Sequence, residues 1–291
     1  FGAGLLGAPA HARAADTPLS AAEQAALASV QALADRGLDA AAVPRMPAVL
    51  PRLMALARRD DASPKELSEL LVRDPALVGE VVRLANSPRF RTQRPIEDLG
   101  GALMLLGQLG LSQLVMRAAV RPIFQSAQGR LGVAAAGRLW DLSERCGHAC
   151  GSRRAGATDT FGAYLAGTAA PVGLIVALRL LDQGVPPEAP GSVAFHTGLW
   201  SAALRLSAQA ARQWAFPDEV VQALAQRADG DLGPTPRPVS GDGLAQALRR
   251  GLAAALRHRL GADTVADLAP TPDEQALLAE LERAFGAQET T

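Results

Sequence analysis

The chain is expected to be all-α, with two packed helical subdomains. Three observations predict this. Apolar residues recur at three- and four-residue spacing almost throughout, the period of an amphipathic helix. Aromatic residues are only 4% of the chain and β-branched runs are scarce, so strands have little support. Pro, Asp and Gly cut the apolar pattern at intervals that suit short helices.

Ser20 to Arg36 predicts a first helix, Ala-rich and amphipathic, with Gly37 as its stop. Pro47 to Arg59 sets Val49, Leu50, Leu53, Leu56 and Ala57 on one face. Ser63-Pro64-Lys65-Glu66 reads as a capping box with Pro at the first helical position, launching Leu67, Leu70 and Leu71. Asp74-Pro75 repeats the start signal for Ala76 to Asn86. Asp74 can accept hydrogen bonds from the first free amides, and Asn86 tolerates the left-handed conformation that ends a helix. Pro95 is expected to open a helix that ends near Gly107, and Leu109 to Phe124 to continue the series.

Gly129 to Leu181 carries long helical patterns with breaks near Gly156 and Gly162. Pro186, Pro187 and Pro190 predict a rigid loop. Ser192 to Trp214 is helical, and Phe216-Pro217-Asp218-Glu219 starts another helix. Ala228 to Gly243, rich in Gly, Pro and Asp, reads as a loop. Leu244 to Leu260 and Pro272 to Phe285 are the last helices, the second behind a capping box at Thr271 and Glu274. The expected layout is a linker and helix over 1–43, a helical domain over 44–229 with subdomains of about 44–127 and 128–229, and a loop with C-terminal helices packing on it over 230–291. Interdigitated Leu, Ala and Val should hold it together, each buried Leu contributing about 1.5–3 kcal/mol.

At 291 residues and 30.1 kDa the chain can bury a sizeable core. Formal net charge is zero, so no global field steers it to nucleic acid or an acidic membrane. Lys65 is the only lysine, which leaves little scope for Schiff-base chemistry. Cys146 and Cys150 lie four apart in a helical pattern, a spacing that rarely suits a disulfide, and this points to a reducing, cytoplasmic compartment. The opening FGAGLLGAPAHARAAD has a short apolar run ending in Ala10-His11-Ala12, like the tail of a signal peptide, but reads better as an Ala/Gly linker. No uninterrupted apolar run reaches the ~20 residues of a spanning helix. Ala163 to Leu178 comes nearest, and Thr168 and Pro171 interrupt it, so it reads as a core helix. A membrane association is expected only through a missing N-terminal segment.

One series of elements has a specific order and spacing: Met46-Pro47, Asp74-Pro75-Ala76-Leu77, Leu84-Ala85-Asn86-Ser87, Pro95-Ile96 and Ala102 to Gly107. In this the chain resembles the HDOD family (HD-related output domain), bacterial signalling modules related to metal-dependent HD phosphohydrolases. A weaker likeness continues through Leu139-Trp140, Tyr164 to Gly173 and Trp214-Ala215-Phe216-Pro217.

The resemblance implies where a metal site would lie. HD enzymes hold metal with His side chains and a His-Asp pair, and the metal polarises phosphate and acidifies a bound water. The four histidines here, His11, His148, His196 and His258, are scattered, and none precedes Asp. Aligned with the family pattern Gly-Leu-Leu-His-Asp-Ile-Gly, Ala170 and Pro171 occupy the His-Asp positions. A later paired His falls at Gln226 and Arg227, and a helix His falls near Ala203. No side chain able to bind the metal is therefore evident at that site, and no metal or cofactor is expected there. Cys146-Gly147-His148-Ala149-Cys150 is a weak metal candidate, because on a helix residue 148 points away from the two thiols. No P-loop, nucleophile elbow or calcium loop is present.

With the ligands gone, contact surfaces should carry function. Arg83, Arg89, Arg91 and Arg94 cluster around the turn after Asn86, where guanidinium groups could bind phosphate or an acidic partner; a solvated loop is the plainer reading. Arg153 and Arg154 suit the C-terminal dipole of the cysteine-bearing helix. Nucleic acid is not expected, for lack of basicity and stacking aromatics. The reading is a non-enzymatic signalling module that binds a regulatory protein, cyclic-dinucleotide turnover proteins among them. The alternatives are a degenerate pocket that binds a nucleotide or cyclic dinucleotide without hydrolysis, and a divergent hydrolase with new ligands including His148.

Overall fold

The computed structural model describes residues 18–40, 42–44, 46, 50–57, 59, 64–87, 95–184, 192–229, 243–260 and 270–286. The described residues are helical, with no strands among them. The helices are α1 (Ala21–Arg36), α2 (Leu50–Ala57), α3 (Pro64–Leu71), α4 (Pro75–Ala85), α5 (Leu99–Gln125), α6 (Arg130–Cys150), α7 (Thr160–Ala169), α8 (Val172–Leu181), α9 (Val193–Gln213), α10 (Asp218–Asp229), α11 (Gly243–Leu260) and α12 (Pro272–Phe285), with a 3-10 turn at Arg153–Ala155. The chain divides into two compact units. One comprises Phe1–Pro44, Ile123–Gln213 and Pro217–Thr291; the other comprises Arg45–Pro122 and Trp214–Phe216.

Local signals account for most helix starts in the smaller unit. Leu50, Leu53 and Met54 of α2 are buried together, as are Leu67 and Leu71 of α3. The Asp74 carboxylate accepts from the Leu77 N–H at 3.0 Å, with Pro75 in the first turn of α4, as the sequence predicts. Asn86 departs from expectation. Its φ of −85° is not left-handed. Its amide instead clips the chain, accepting from the Ile96 N–H and donating to the Ile96 carbonyl, both at 2.7 Å. That pins residues 95–98 outside the helix, so α5 starts at Leu99 rather than Pro95, with Asp98 accepting from the Gly101 N–H at 2.7 Å. The expected break at Gly107 is present as a kink (φ 65°, ψ 179°), a conformation that glycine adopts without a Cβ clash.

In the larger unit, α7 and α8 form the centre, and every residue of the apolar window within Thr160–Leu181 is buried. Leu99–Gln125 is also long and apolar enough to cross a membrane, but Gly107 breaks it. The break expected near Gly162 lies earlier: Gly162 is inside α7, its N–H held at 2.8 Å by Asp159, which caps the helix. The start of α6 is capped from far away, since Asp182 accepts from the Leu131 and Gly132 N–H groups at 2.9 and 3.0 Å. Gly129 (φ 80°) makes room for that carboxylate, because a Cβ there would lie 2.2 Å from its Oδ2. Helix α1 carries a Ser20–Glu23 capping box and lies along α9, with Leu27 against Gly198 and Gln209 donating to the Ala34 carbonyl at 2.6 Å. The capping box at Thr271 and Glu274 opens α12 as expected. Arg154–Glu280 (2.9 Å) and Arg250–Asp273 (3.1 Å) tie that helix to the 3-10 turn and to α11.

Candidate functional site

The α7–α8 corner holds Ala170 and Pro171, the two positions that the sequence reading sets against the His-Asp pair of HD enzymes. Both are buried. The corner is closed by α9. The Ser207 hydroxyl donates to the Ala170 carbonyl and accepts from the Gly173 N–H, both at 2.8 Å. Gly173 lies so close to α9 that a Cβ would fall 1.8 Å from the Ala203 carbonyl oxygen. Ala170, Pro171 and Ala203 therefore do gather at one place, but as small residues in a helix crossing stitched by one serine. A side chain at position 173 would have to displace the α9 backbone there.

The other two positions set against the family pattern lie on α10. Gln226 is exposed on α10. Arg227 is half-buried in the last turn of α10, and its electrostatic neighbour is Arg249 of α11. Burial first, then the like charge of Arg249, lower the Arg227 pKa. The Nε atoms of both arginines are shielded from solvent without a hydrogen-bond partner.

The cysteine segment is helical, as expected, and its thiols are free and buried. Cys150 fills a junction of three helices: its Sγ would lie 2.8 Å from a Cβ on Gly167 of α7 and 2.4 Å from one on Gly251 of α11. Burial raises both thiol pKa values. His148 stands apart from them, edge-on to Phe285 of α12 at 5.8 Å. Among the described residues, no three His, Cys, Asp or Glu side chains converge in a way that could hold a metal ion.

Of the predicted arginine cluster, Arg89, Arg91 and Arg94 lie outside the described residues, as do the N-terminal stretch with His11, the cap residue Ser63, Pro47, the prolines at 186, 187 and 190, and loop residues 230–242. Arg83 is engaged within its own helix, donating from Nε to Glu80 at 2.7 Å, and Glu80 also takes Arg121 at 2.9 Å. Two features had escaped the sequence reading. One is the Ser207 stitch. The other is a polar cluster in which Arg145 and His258 are buried and Asp141 and Arg259 half-buried, against Phe285 of α12. The available signal for the second was Arg145 itself, a cation set in the apolar face of Leu142, Cys146 and Ala149.

Comparison with known proteins gives the fold a family. Three solved structures share it: an HDOD domain protein of unknown function from Geobacter sulfurreducens (18% identity, 90% of this chain and 95% of that one, TM-score 0.61); a provisionally named metal-dependent phosphohydrolase from Shewanella amazonensis SB2B (17%, 93% and 100%, 0.57); and a provisionally named signal transduction protein from Marinobacter aquaeolei VT8 (21%, 90% and 60%, 0.59). No curated protein matches the chain. The HDOD domain family matches residues 43–229, most of the chain and all of the α7–α9 corner. The helical series read from the sequence thus has its explanation: the chain belongs to the HDOD domain family.

Proposed function

We propose that the protein is a cytoplasmic, non-catalytic signalling module that works by binding a regulatory protein. The observation that carries this reading is the α7–α8 corner, where Ala170, Pro171 and Ala203 offer no metal-binding side chain and Ser207 bonds to the backbone of Ala170 and Gly173. A water cannot be acidified for attack on phosphate by groups of this kind. Family membership and the likeness to a protein named for signal transduction agree with a signalling role. Cyclic-dinucleotide turnover proteins are the partner class proposed.

A binding module needs a surface, and the smaller unit offers one. Met104, Leu105 and Leu109 are exposed along α5, Met104 at 91%. Apolar side chains grouped in water are where a partner can seat, and we take these three as the contact face. The test has two arms. Purified protein with Mg²⁺ or Mn²⁺ should not hydrolyse cyclic dinucleotides or bis(p-nitrophenyl) phosphate above the blank. Turnover that is lost on changing the protein's own residues would overturn the reading. Met104→Glu with Leu105→Glu should abolish binding to an isolated partner while the melting temperature stays put.

One observation favours a second reading, a nucleotide held without hydrolysis: Arg227 and Arg249 face each other with no carboxylate recorded between them among the described residues. Calorimetry with linear and cyclic nucleotides separates the two. Binding lost in Arg227→Met would support the nucleotide; no heat at millimolar ligand would remove it.

A further inference from the structure

Arg145 is a buried cation, 2% exposed, on the inner face of α6. Its Nε–H donates to Nδ1 of His258 on α11 at 3.0 Å. Its Nη1 is paired with Asp141 one turn earlier, and Asp141 also takes Arg259 Nε at 2.8 Å. The Phe285 ring of α12 covers the guanidinium, 4.7 Å from its centroid, and the His258 ring lies 6.5 Å from the same phenyl. Three helices thus meet around one Arg–His hydrogen bond.

That bond dictates a protonation state. Arginine carries donors only and keeps its charge at any physiological pH. Nδ1 of His258 must therefore be the bare, accepting nitrogen, with the proton on Nε2. A second proton would remove the acceptor and set an imidazolium against a guanidinium in a site hidden from water. The fixed charges nearby do not rescue it. Asp141 is already shared by Arg145 and Arg259, and Glu282 of α12 acts on His258 through space rather than by a recorded ion pair. No charged group of α7, α10 or the 3-10 turn acts on it among the described residues. The Gly286 backbone also favours a charged ring, but it is the smallest of the effects acting on His258.

We propose that the Arg145–His258 pair is a pH-sensitive clasp: protonation of His258 breaks it and loosens α12 and the last turn of α11 from α6. Leu277 and Leu281, buried under α12, would then become accessible. The direction of titration agrees. Burial, then Arg145, lower the His258 pKa below its ordinary 6.5, against smaller raising effects of Glu282, Asp141 and the Gly286 backbone. Above pH 6.5 the closed form keeps its full advantage. It loses that advantage as pH falls through the lower folded value.

Hydrogen–deuterium exchange of the full chain at pH 7.5 and 5.5, corrected for intrinsic rates, tests this. Amides of Pro272–Phe285 should exchange about tenfold faster at pH 5.5, while those of α7 and α8 stay protected. His258→Asn keeps an oxygen near the Nδ1 position and cannot be protonated, so it should abolish the acceleration. His148→Gln should leave it intact, which separates His258 from the other imidazole on Phe285. Should His258→Asn fail to fold, an NMR titration of His258 in the wild type decides. A midpoint below 6.5 that coincides with the exchange change supports the clasp. Equal exchange at both pH values, acceleration that survives His258→Asn, or a midpoint at or above 6.5 overturns it.

Discussion

The Ser192 backbone N–H donates to the Glu23 carboxylate at 2.8 Å, a buried hydrogen bond between residues 169 positions apart. The other carboxylate oxygen takes the Ser20 N–H at 2.8 Å, so one side chain serves the starts of both α1 and α9. Burial by itself would raise the Glu23 pKa. The hydrogen bonds from Ser20 and Ser192 outweigh it and hold the group at about 2, against an ordinary 4.5. A depressed carboxyl contributes stability above the unfolded value and loses it as pH falls through the folded one. Glu23→Gln should therefore cost roughly 2 kcal/mol at pH 7. In thermal melts the gap between variant and wild type should close between pH 4.5 and 2.

Gly173→Ala should be severe. Its methyl would sit 1.8 Å from the Ala203 carbonyl, against backbone that cannot swing aside. A loss of more than about 3 kcal/mol is expected in chemical denaturation. Gly79→Ala is the control. Nothing lies within 4 Å of a Cβ there, so the helix-propensity gain of about 0.5–1 kcal/mol should come through.

Ser207→Ala removes both halves of the stitch and strands the buried Gly173 N–H and Ala170 carbonyl. The expected cost is about 1–3 kcal/mol, read from the same denaturation curves. Ser207→Cys, which keeps a weak donor and acceptor, should fall between.

Cys146 and Cys150 are buried, and their thiolates are disfavoured by burial. Thiol titration with an aromatic disulfide should find neither group at neutral pH in the native protein and both after unfolding. Reaction at the native rate of a free peptide thiol would contradict the packing of Cys150 against Gly167 and Gly251.

What could be read from the sequence was local. Asp74-Pro75 and Thr271 to Glu274 announce helix starts because cap and amide lie three residues apart. Gly107 announced its kink because only backbone freedom was at issue. Asn86 misled because its amide found Ile96, ten residues on, before the helix could end left-handed. Asp182 at the start of α6, Ser207 at Ala170 and Arg145 at His258 are pairings across 51, 37 and 113 residues, and although Arg145 stands out on an apolar face, nothing near any of them names the partner. The sequence sets Ala170 and Pro171 against the family's His-Asp pair. The Ser207 hydrogen bonds to Ala170 and Gly173 were not legible, because they depend on how close α8 and α9 come.

The docking of α1 against α9 has a consequence during synthesis. Arg205 reaches back to Asp35 and Gln213 to the Leu38 carbonyl, so the first helix finds its seat only when the ninth has been made. At about 5–20 residues per second, the ribosome needs on the order of ten seconds or more to cover that interval. Throughout it Leu27, Val30 and Ala34 have no native cover. A nascent chain of this kind offers an apolar stripe to holding chaperones early, and its larger unit closes only after translation has passed α9.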